Sequence, residues 1–151
     1  MKYNIILLTI LANFVHFNAF ANNDCVHDVS KLKCLEFVKG YSGDTAIFNI
    51  PHLHSLFGNK IKVSLIDVKS PSVYSKNKCA KIVAKKAKSF VNNIYKNGKY
   101  IELTNIKRDK SFKIKGNIKV DNQDISSALL KKKYAVHTKD FKETNWCKVK
   151  I

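Results

Sequence analysis

The stretch Gly40–Phe48, with the sequence GYSGDTAIF, places one acidic side chain where a turn meets an alternating apolar run. Asp44 lies there between Gly43 and Thr45. A carboxylate in such a loop is a hard oxygen ligand of the kind that calcium prefers, and a bound metal ion can promote hydrolysis. Aspartate is equally typical of tight turns, because its side chain accepts hydrogen bonds from nearby groups. The residues further along the chain decide between a metal ligand and a turn residue.

A second group of residues is basic and contains one aromatic ring. Its members are Lys107, Arg108, Lys110, Phe112, Lys113 and Lys115. Cationic side chains neutralise phosphates, and an exposed ring can stack on a base. This segment is therefore the candidate nucleic-acid-binding surface, with a solvated strand face as the alternative.

Histidines supply a third, weaker candidate. His52 and His54 form an HxH pair in the loop 51–60, but no third metal ligand accompanies them, so a solvated loop is expected. His137 is a candidate general base that follows a predicted helix, where a surface role is equally natural. The apolar residues of the 51–59 loop are candidates for a contact with a partner: Leu53, Leu56 and Phe57.

Charge favours polyanionic partners. The chain has 151 residues, which suits one domain, and a formal net charge of +17. Arg108 is the only arginine among 28 basic residues, so lysine point charges predominate over planar guanidinium forks. We expect weak, salt-dependent attraction to nucleic acid, anionic lipid or acidic glycans. A lysine-rich surface that is merely solvated is the alternative.

The N-terminus has the pattern of a secretory signal. Lys2 precedes an apolar run over Ile5–Val15 and the small residues around Ala21, after which we expect cleavage. Polar residues interrupt the run before it reaches the roughly 20 apolar residues of a spanning helix. Loss of residues 1–21 removes Lys2 and no acid, which lowers the charge from +17 to +16. The mature protein is expected in the periplasm or the medium, as a monomer without a transmembrane segment.

The four cysteines all follow the predicted signal, and an even number in an exported chain indicates disulfides. Three pairings are possible. We favour Cys25–Cys34, which closes a short local loop, together with Cys79–Cys147, which ties the tail to the middle of the chain. The absence of a CxxC pair disfavours a zinc site and redox catalysis.

Hydrophobic periodicity predicts an antiparallel sheet or barrel with added helices rather than alternating βαβ units. The predicted strands are Leu35–Val38, Thr45–Ile50, Ile61–Leu65, Tyr100–Ile106 and Phe112–Val120. The predicted helices are Ala80–Lys96 and Ile125–Lys132, the second capped by Asp124.

The order of these motifs resembles the staphylococcal nuclease family from about Cys34 to Trp146. Ser42–Thr45, SGDT, resembles the family's DGDT turn, and Ser64–Ser72, SLIDVKSPS, resembles its R-L-x-G-[IV]-D-x-P-E pattern. Lys107–Ala135 aligns without a gap to the strand, turn and helix that follow in the family. A cysteine at the start of the first helix and a late Trp-Cys pair resemble a secreted branch. Order and spacing carry the resemblance, since no single motif is specific.

The resemblance implies a mainly β fold with helices, a five-stranded OB-fold barrel with two to three helices. It divides the chain into a signal peptide (1–21), an N-terminal extension (22–33) and the nuclease-like domain (34–151). Family members hydrolyse DNA or RNA with one calcium ion. Two carboxylates hold the ion, two arginines grip the phosphate and a glutamate handles the attacking water.

Position by position, the resemblance retains one of these five groups. Asp44 matches the first calcium carboxylate, Ser64 and Lys113 occupy the two arginine positions, and Lys69 and Ser72 occupy the second aspartate and the glutamate. An alignment shifted by two residues places Asp67 in the metal role and Lys62 in the first arginine role. The ungapped version is the simpler one.

Charge argues against calcium in the ungapped version. At about 4 Å and an effective dielectric of about 20, one ammonium repels a divalent ion by roughly 8 kcal/mol. A millimolar calcium site binds with only about 4 kcal/mol. Asp44 is then expected to pair with Lys69 or to cap the turn.

We therefore expect a degenerate nuclease homologue that binds polyanions or nucleic acid and needs no cofactor. A divergent endonuclease that uses calcium at Asp44 and Asp67 is the first alternative. A protein of the envelope or host interface that uses the 51–59 loop is the second.

Overall fold

The computed structural model describes residues 25–150, and the predicted signal sequence lies outside them. The strands are β1 Lys31–Leu32, β2 Glu36–Gly40, β3 Thr45–Asn49, β4 Ile61–Leu65, β5 Val68–Lys69, β6 Ile101–Arg108, β7 Ile114–Val120, β8 Gln123–Asp124 and β9 Val136–His137. The helices are α1 Ser55–Gly58, α2 Lys78–Asn97 and α3 Ile125–Lys131, and a 3-10 turn covers Thr138–Asp140. None of the helices in residues 25–150 is long and apolar enough to cross a membrane.

The main sheet has the strand order β1-β6-β7-β4-β3-β2, and β8 is added beside β7. Its pairs are antiparallel except for β4 and β7, which run parallel. A parallel pair needs a long crossover connection, and α2 with β6 supplies it here. The prediction of a wholly antiparallel sheet was therefore wrong at this one pair. Strands β5 and β9 form a separate two-stranded ribbon.

The segment Lys31–Gly40 joins the two edges of this sheet. Its first part, β1, pairs with β6, and the backbone N–H of Leu35 then donates to the carbonyl of Ile101 at 3.0 Å. Its second part, β2, pairs with β3 and contains a bulge after Phe37 that lets the strand bend. One strand-like segment thus closes the sheet into the predicted OB-type barrel, and the α+β fold class is confirmed.

Helix α2 covers one side of the barrel. It begins where the Asn77 side chain accepts from the N–H of Ala80 at 3.0 Å, and it ends where Gly98 donates to Ile94. Its buried residues are Ala80, Val83, Ala84, Ala87, Val91 and Tyr95. Of the predicted apolar face, Val83, Ala87 and Val91 are buried, whereas Phe90 and Ile94 are partly buried. The helix extends slightly beyond the predicted Ala80–Lys96 at both ends.

Helix α3 begins as predicted. The carboxylate of Asp124 accepts from the N–H of Ser127 at 2.7 Å, which confirms the N-cap, and the helix ends one residue earlier than expected, at Lys131. Its Ile125 and Leu129 enter the core beside Phe48. The core is therefore shared by the barrel interior and two helices.

Strand boundaries differ from the prediction mainly in the β6–β7 hairpin. The strand predicted from Phe112 begins instead at Ile114. The reason is Asp109, whose carboxylate accepts backbone N–H bonds from Ser111 at 2.8 Å and Lys113 at 3.0 Å and so folds residues 109–113 into a turn. Phe112 lies in that turn with a positive φ of 57°.

Two disulfides confirm the favoured pairing. Cys25 is bonded to Cys34 and Cys79 to Cys147, and residues 25–150 contain no free cysteine. The second bridge fixes the tail beside a small cluster in which Trp146 packs on the first turns of α2.

Loss of the Cys79–Cys147 bridge should destabilise the protein more than loss of Cys25–Cys34. The bridges span 68 and 9 residues of sequence, and loop entropy alone predicts a difference of about 2 kcal/mol in the free energy of unfolding. Denaturant unfolding of the two paired Cys→Ala variants measures it. Equal losses of stability would show that loop length does not govern the contribution of these bridges.

Candidate functional site

The five residues that the family resemblance placed in catalytic roles line one cavity of about 420 Å³. They are Asp44, Ser64, Lys69, Ser72 and Lys113. The sheet brings several of them together: Thr45 at the start of β3 pairs with Ser64 on β4, and Ser64 pairs with Lys115 on β7. The ungapped alignment thus identified positions that are distant in sequence and adjacent in space.

A second cavity of about 360 Å³ adjoins the first and shares Asp44, Ser64, Lys69 and Lys113 with it. Asp67 also lines this cavity, so the residue favoured by the shifted alignment reaches the same region. The two cavities together are called the cleft below. Lys62, which that alignment also proposed, lines the first cavity.

The carboxylate of Asp44 is held by two serines. The hydroxyl of Ser42 donates to Oδ1 at 2.6 Å, and the hydroxyl of the buried Ser70 donates to the same oxygen at 3.1 Å. The predicted ion pair between Asp44 and Lys69 was wrong, since the two form no salt bridge in the described part of the chain. Asp44 is instead a turn residue, which was the alternative prediction.

The side chain of Lys69 is directed toward Phe141 rather than toward Asp44. Lys69 pairs with Val136 in the β5–β9 ribbon, and its ammonium lies 4.9 Å from the centroid of the Phe141 ring. On the other side of the cleft, the ammonium of Lys62 lies 3.4 Å from the centroid of the Tyr41 ring. Both are cation–π geometries, so each lysine is oriented by an aromatic ring that also lines the cleft.

Gly43 explains why the Asp44 turn has a fixed position. A Cβ atom at Gly43 would lie 2.6 Å from the Cβ of Ala87 on α2 and 2.9 Å from the hydroxyl of Ser70. Only glycine allows the turn to approach the helix so closely. Helix α2 therefore supports the turn from behind and fixes the direction of the Asp44 side chain.

The serines at positions to which the resemblance assigns catalytic roles have local partners. The hydroxyl of Ser64 lies 2.9 Å from that of Thr45, and the hydroxyl of Ser72 accepts from the N–H of Tyr74 at 3.1 Å. A hydroxyl can donate to a phosphate oxygen, but it does not accept a proton from water at neutral pH as a carboxylate does.

The predicted nucleic-acid-binding residues divide into two groups. Lys113 and Lys115 line the cleft. The other four are exposed on the β6–β7 hairpin and do not line the two cavities: Lys107, Arg108, Lys110 and Phe112. The hairpin thus contributes Lys113 and Lys115 to the wall of the cleft, and its other basic residues extend beyond the cavities.

Asp109 organises this hairpin electrostatically. A hydrogen bond from the N–H of Lys113 lowers the pKa of the Asp109 carboxyl, with smaller contributions from the N–H of Ser111 and the charge of Lys115. The ammonium of Lys115 lies 3.6 Å from the carboxylate. Lys107 is the direct cross-strand partner of Lys115, and like charges so placed repel each other.

The histidines are separate from the cleft or exposed. His54 accepts from the N–H of Leu56 and caps the one-turn helix α1, while His52 is exposed. His137 is an exposed member of β9. Among residues 25–150, no group of three or more His, Cys, Asp or Glu side chains is arranged to hold a metal ion.

The ligand groups that the cleft offers differ from those that calcium binds. Calcium binds six to eight oxygen ligands, several of them carboxylates. Here one oxygen of Asp44 already accepts two hydroxyl hydrogen bonds, and the acids of the cleft, which include Asp67 and Asp109, are outnumbered by four lysines: Lys62, Lys69, Lys113 and Lys115. These residues do not fit a calcium ion.

Sequence reasoning missed three residues of the site. Tyr41 adjoins the SGDT turn and Phe141 follows β9, yet neither has a pattern that signals a position on a cleft. Ser70 lies inside the quoted SLIDVKSPS motif, but only the folded structure shows that its buried hydroxyl reaches Asp44.

Asp44→Ala should destabilise the fold, whereas Asp44→Asn should be milder. Alanine leaves the buried Ser70 hydroxyl without its acceptor, which costs about 1–3 kcal/mol, and asparagine keeps an acceptor oxygen. Denaturant unfolding of both variants measures the difference. An Ala variant as stable as wild type would contradict a structural role for the carboxylate.

Comparison with known proteins agrees with the geometry. The family model described as staphylococcal nuclease homologue matches residues 62–149, which is more than half of the chain and includes β4, α2, β6, β7 and the tail. No curated protein matches the chain. With the barrel, the cleft and this match in agreement, the chain belongs to the family of staphylococcal nuclease homologues.

Proposed function

We propose that this protein is an exported, catalytically inactive nuclease homologue whose cleft binds polyanions, in particular nucleic acid. One observation carries the proposal. The five positions to which the family resemblance assigns catalytic roles line one cavity, and four of them carry serine or lysine: Ser64, Lys69, Ser72 and Lys113. Ammonium and hydroxyl groups can bind phosphate, but they do not hold calcium or activate water as carboxylates do.

Anion binding is supported by the side chains of the cleft. The ammonium groups of Lys69 and Lys113 can approach a phosphate from two sides of the cavity, and the paired hydroxyls of Thr45 and Ser64 can donate to its oxygens. A bound phosphate would also relieve the repulsion between Lys107 and Lys115 on the adjoining hairpin.

Loss of hydrolysis is supported by the same positions. The family's metal, clamp and water-activating carboxylate act as a unit, so the loss of several parts is not compensated by the remainder. Lys113 cannot reproduce a planar two-bond grip on phosphate, and the only arginine, Arg108, is exposed outside the cavities. We expect little sequence preference, because reading guanine depends largely on such forks.

Export is supported by two features. The N-terminal pattern is that of a secretory signal, and the two disulfides are typical of proteins that fold under oxidising conditions. We place the mature protein, Asn22–Ile151, in the periplasm or the medium.

Binding of a fluorescent single-stranded DNA should fall steeply as salt rises, because lysines release counterions when they meet phosphates. The paired variant Lys69→Ala/Lys113→Ala should weaken binding about tenfold and lower the salt slope by about 2. The matched control Lys81→Ala/Lys85→Ala removes the same charge from the exposed face of α2. Fluorescence anisotropy at several salt concentrations measures all three proteins.

Two results of this titration would contradict the proposal. An affinity that does not change with salt would show that phosphate charge is not the cause of binding. Equal losses in the cleft pair and the α2 pair would show that net charge acts without the cleft.

A divergent calcium-dependent endonuclease is the second candidate. The observation that favours it is the second cavity, which brings Asp67 and Asp109 to the same region as Asp44. We predict no cleavage of single-stranded DNA or RNA by the refolded mature protein in millimolar calcium. Cleavage by the wild type that disappears in Asp44→Ala would establish the endonuclease and exclude a contaminating enzyme.

A further inference from the structure

Four exposed apolar side chains belong to two segments that meet at one end of the barrel. Leu53, Leu56 and Phe57 belong to the loop between β3 and β4, and Val26 belongs to the segment that precedes β1. Leu56 is 74% exposed, Phe57 65% and Val26 66%. We call these four residues the loop patch. None of them is charged, and large exposed apolar side chains that lie together mark an interaction site.

The two segments of the loop patch are joined into one surface. His27 lies between them: its Nδ1 accepts from the N–H of Lys33 at 3.2 Å, and its Nε2 lies 2.6 Å from the carbonyl oxygen of Pro51, to which it donates. The Cys25–Cys34 bridge fixes the first segment on the other side. Val26 and Leu53 consequently line a common cavity of about 490 Å³.

Inside the loop, Leu56 and Phe57 are presented by the one-turn helix α1. Its N–H groups are partly satisfied by the His54 ring, and Gly58 donates back to the carbonyl of His54. A Cβ at Gly58 would lie 2.7 Å from the carbonyl oxygen of Ile50, so the turn packs tightly on the end of β3. The two apolar side chains are therefore held outward by a defined turn.

The loop patch and the cleft lie near opposite ends of strand β3. Strand β3 starts at Thr45, which lines the cleft, and ends at Asn49, next to the loop. At about 3.3 Å per residue the strand separates the two sites by roughly 13 Å. A partner on the loop patch would leave the cleft open.

We propose that the loop patch docks this protein on an anionic lipid bilayer, with Leu56 and Phe57 inserted at the boundary between head groups and acyl chains. Surface binding of this kind combines buried apolar area with attraction to anionic lipids. The chain supplies the charge, with +16 after signal removal, and Lys33 and Lys60 flank the patch. This inference does not depend on the cleft and can fail or succeed independently of nucleic-acid binding.

Co-sedimentation of mature Asn22–Ile151 with vesicles tests the proposal. The protein should bind vesicles that contain phosphatidylglycerol and bind pure phosphatidylcholine vesicles much less. Leu56→Ser/Phe57→Ser should weaken binding by about tenfold or more, because two apolar side chains no longer leave water. The matched control Tyr74→Ser/Ile82→Ser removes side chains that are 83% and 55% exposed elsewhere and should bind as wild type does.

The affinity of the Leu56→Ser/Phe57→Ser variant for single-stranded DNA should stay within about twofold of wild type, since the cleft is untouched. Unchanged DNA binding also shows that the variant is folded. A double variant that still binds anionic vesicles as wild type does would overturn the proposal, because charge alone would then explain the binding.

A tryptophan at the patch gives a second readout. Phe57→Trp should show a blue-shifted emission with phosphatidylglycerol vesicles and quenching by brominated lipid, after subtraction of the signal from the buried Trp146 in wild type. Unshifted emission would overturn insertion. A wild type that is dimeric in sedimentation, with a monomeric Leu56→Ser/Phe57→Ser variant, would assign the patch to a second copy and overturn the lipid proposal.

Discussion

The hydrogen bonds from Ser42 and Ser70 to one oxygen of Asp44 connect three parts of the fold. They join the turn between β2 and β3 to the segment that leads from β5 into α2. The close contact of Gly43 with Ala87 adds the helix itself. The floor of the cleft depends on this small network, and it needs the carboxylate as a hydrogen-bond acceptor rather than as a metal ligand. The position to which the family resemblance assigns a calcium ligand thus has a structural use in this fold.

The surrounding charges follow from the same arrangement. The cleft holds four lysines, at positions 62, 69, 113 and 115, and the carboxylates of Asp44, Asp67 and Asp109. Two of the lysines lie over aromatic rings, and Lys115 forms an ion pair with Asp109. Such a cleft has spare positive charge and hydrogen-bond donors, which suits a polyanion. A divalent cation would be repelled there. The fold of this family is compatible with the proposed binding role because the barrel positions the backbone, whereas a reaction depends on a few side chains.

The sequence predicted those features that depend on residues close together in the chain. Asp124 caps α3 because its own side chain reaches the first turn, and the apolar stripe of α2 follows from helical spacing. The orientation of Lys69 could not be predicted, since it depends on the pairing of β5 with β9, far apart in sequence. The parallel β4–β7 pair is equally a property of the closed barrel. The predicted strand start at Phe112 was wrong because the Asp109 carboxylate accepts two backbone hydrogen bonds and folds the residues around Phe112 into a turn.

The sequence predicted which residues line the cleft better than it predicted the contacts between them. The ungapped resemblance placed five residues that the fold brings to one cavity, although Tyr41, Ser70 and Phe141 had no signal of their own. Calorimetric titration of the mature protein with calcium tests the central claim most directly, since metal binding is the step that every nuclease mechanism of this family shares. The account predicts no saturable heat and no change in melting temperature at millimolar calcium. Saturable binding that is lost in a folded Asp44→Asn variant would contradict it.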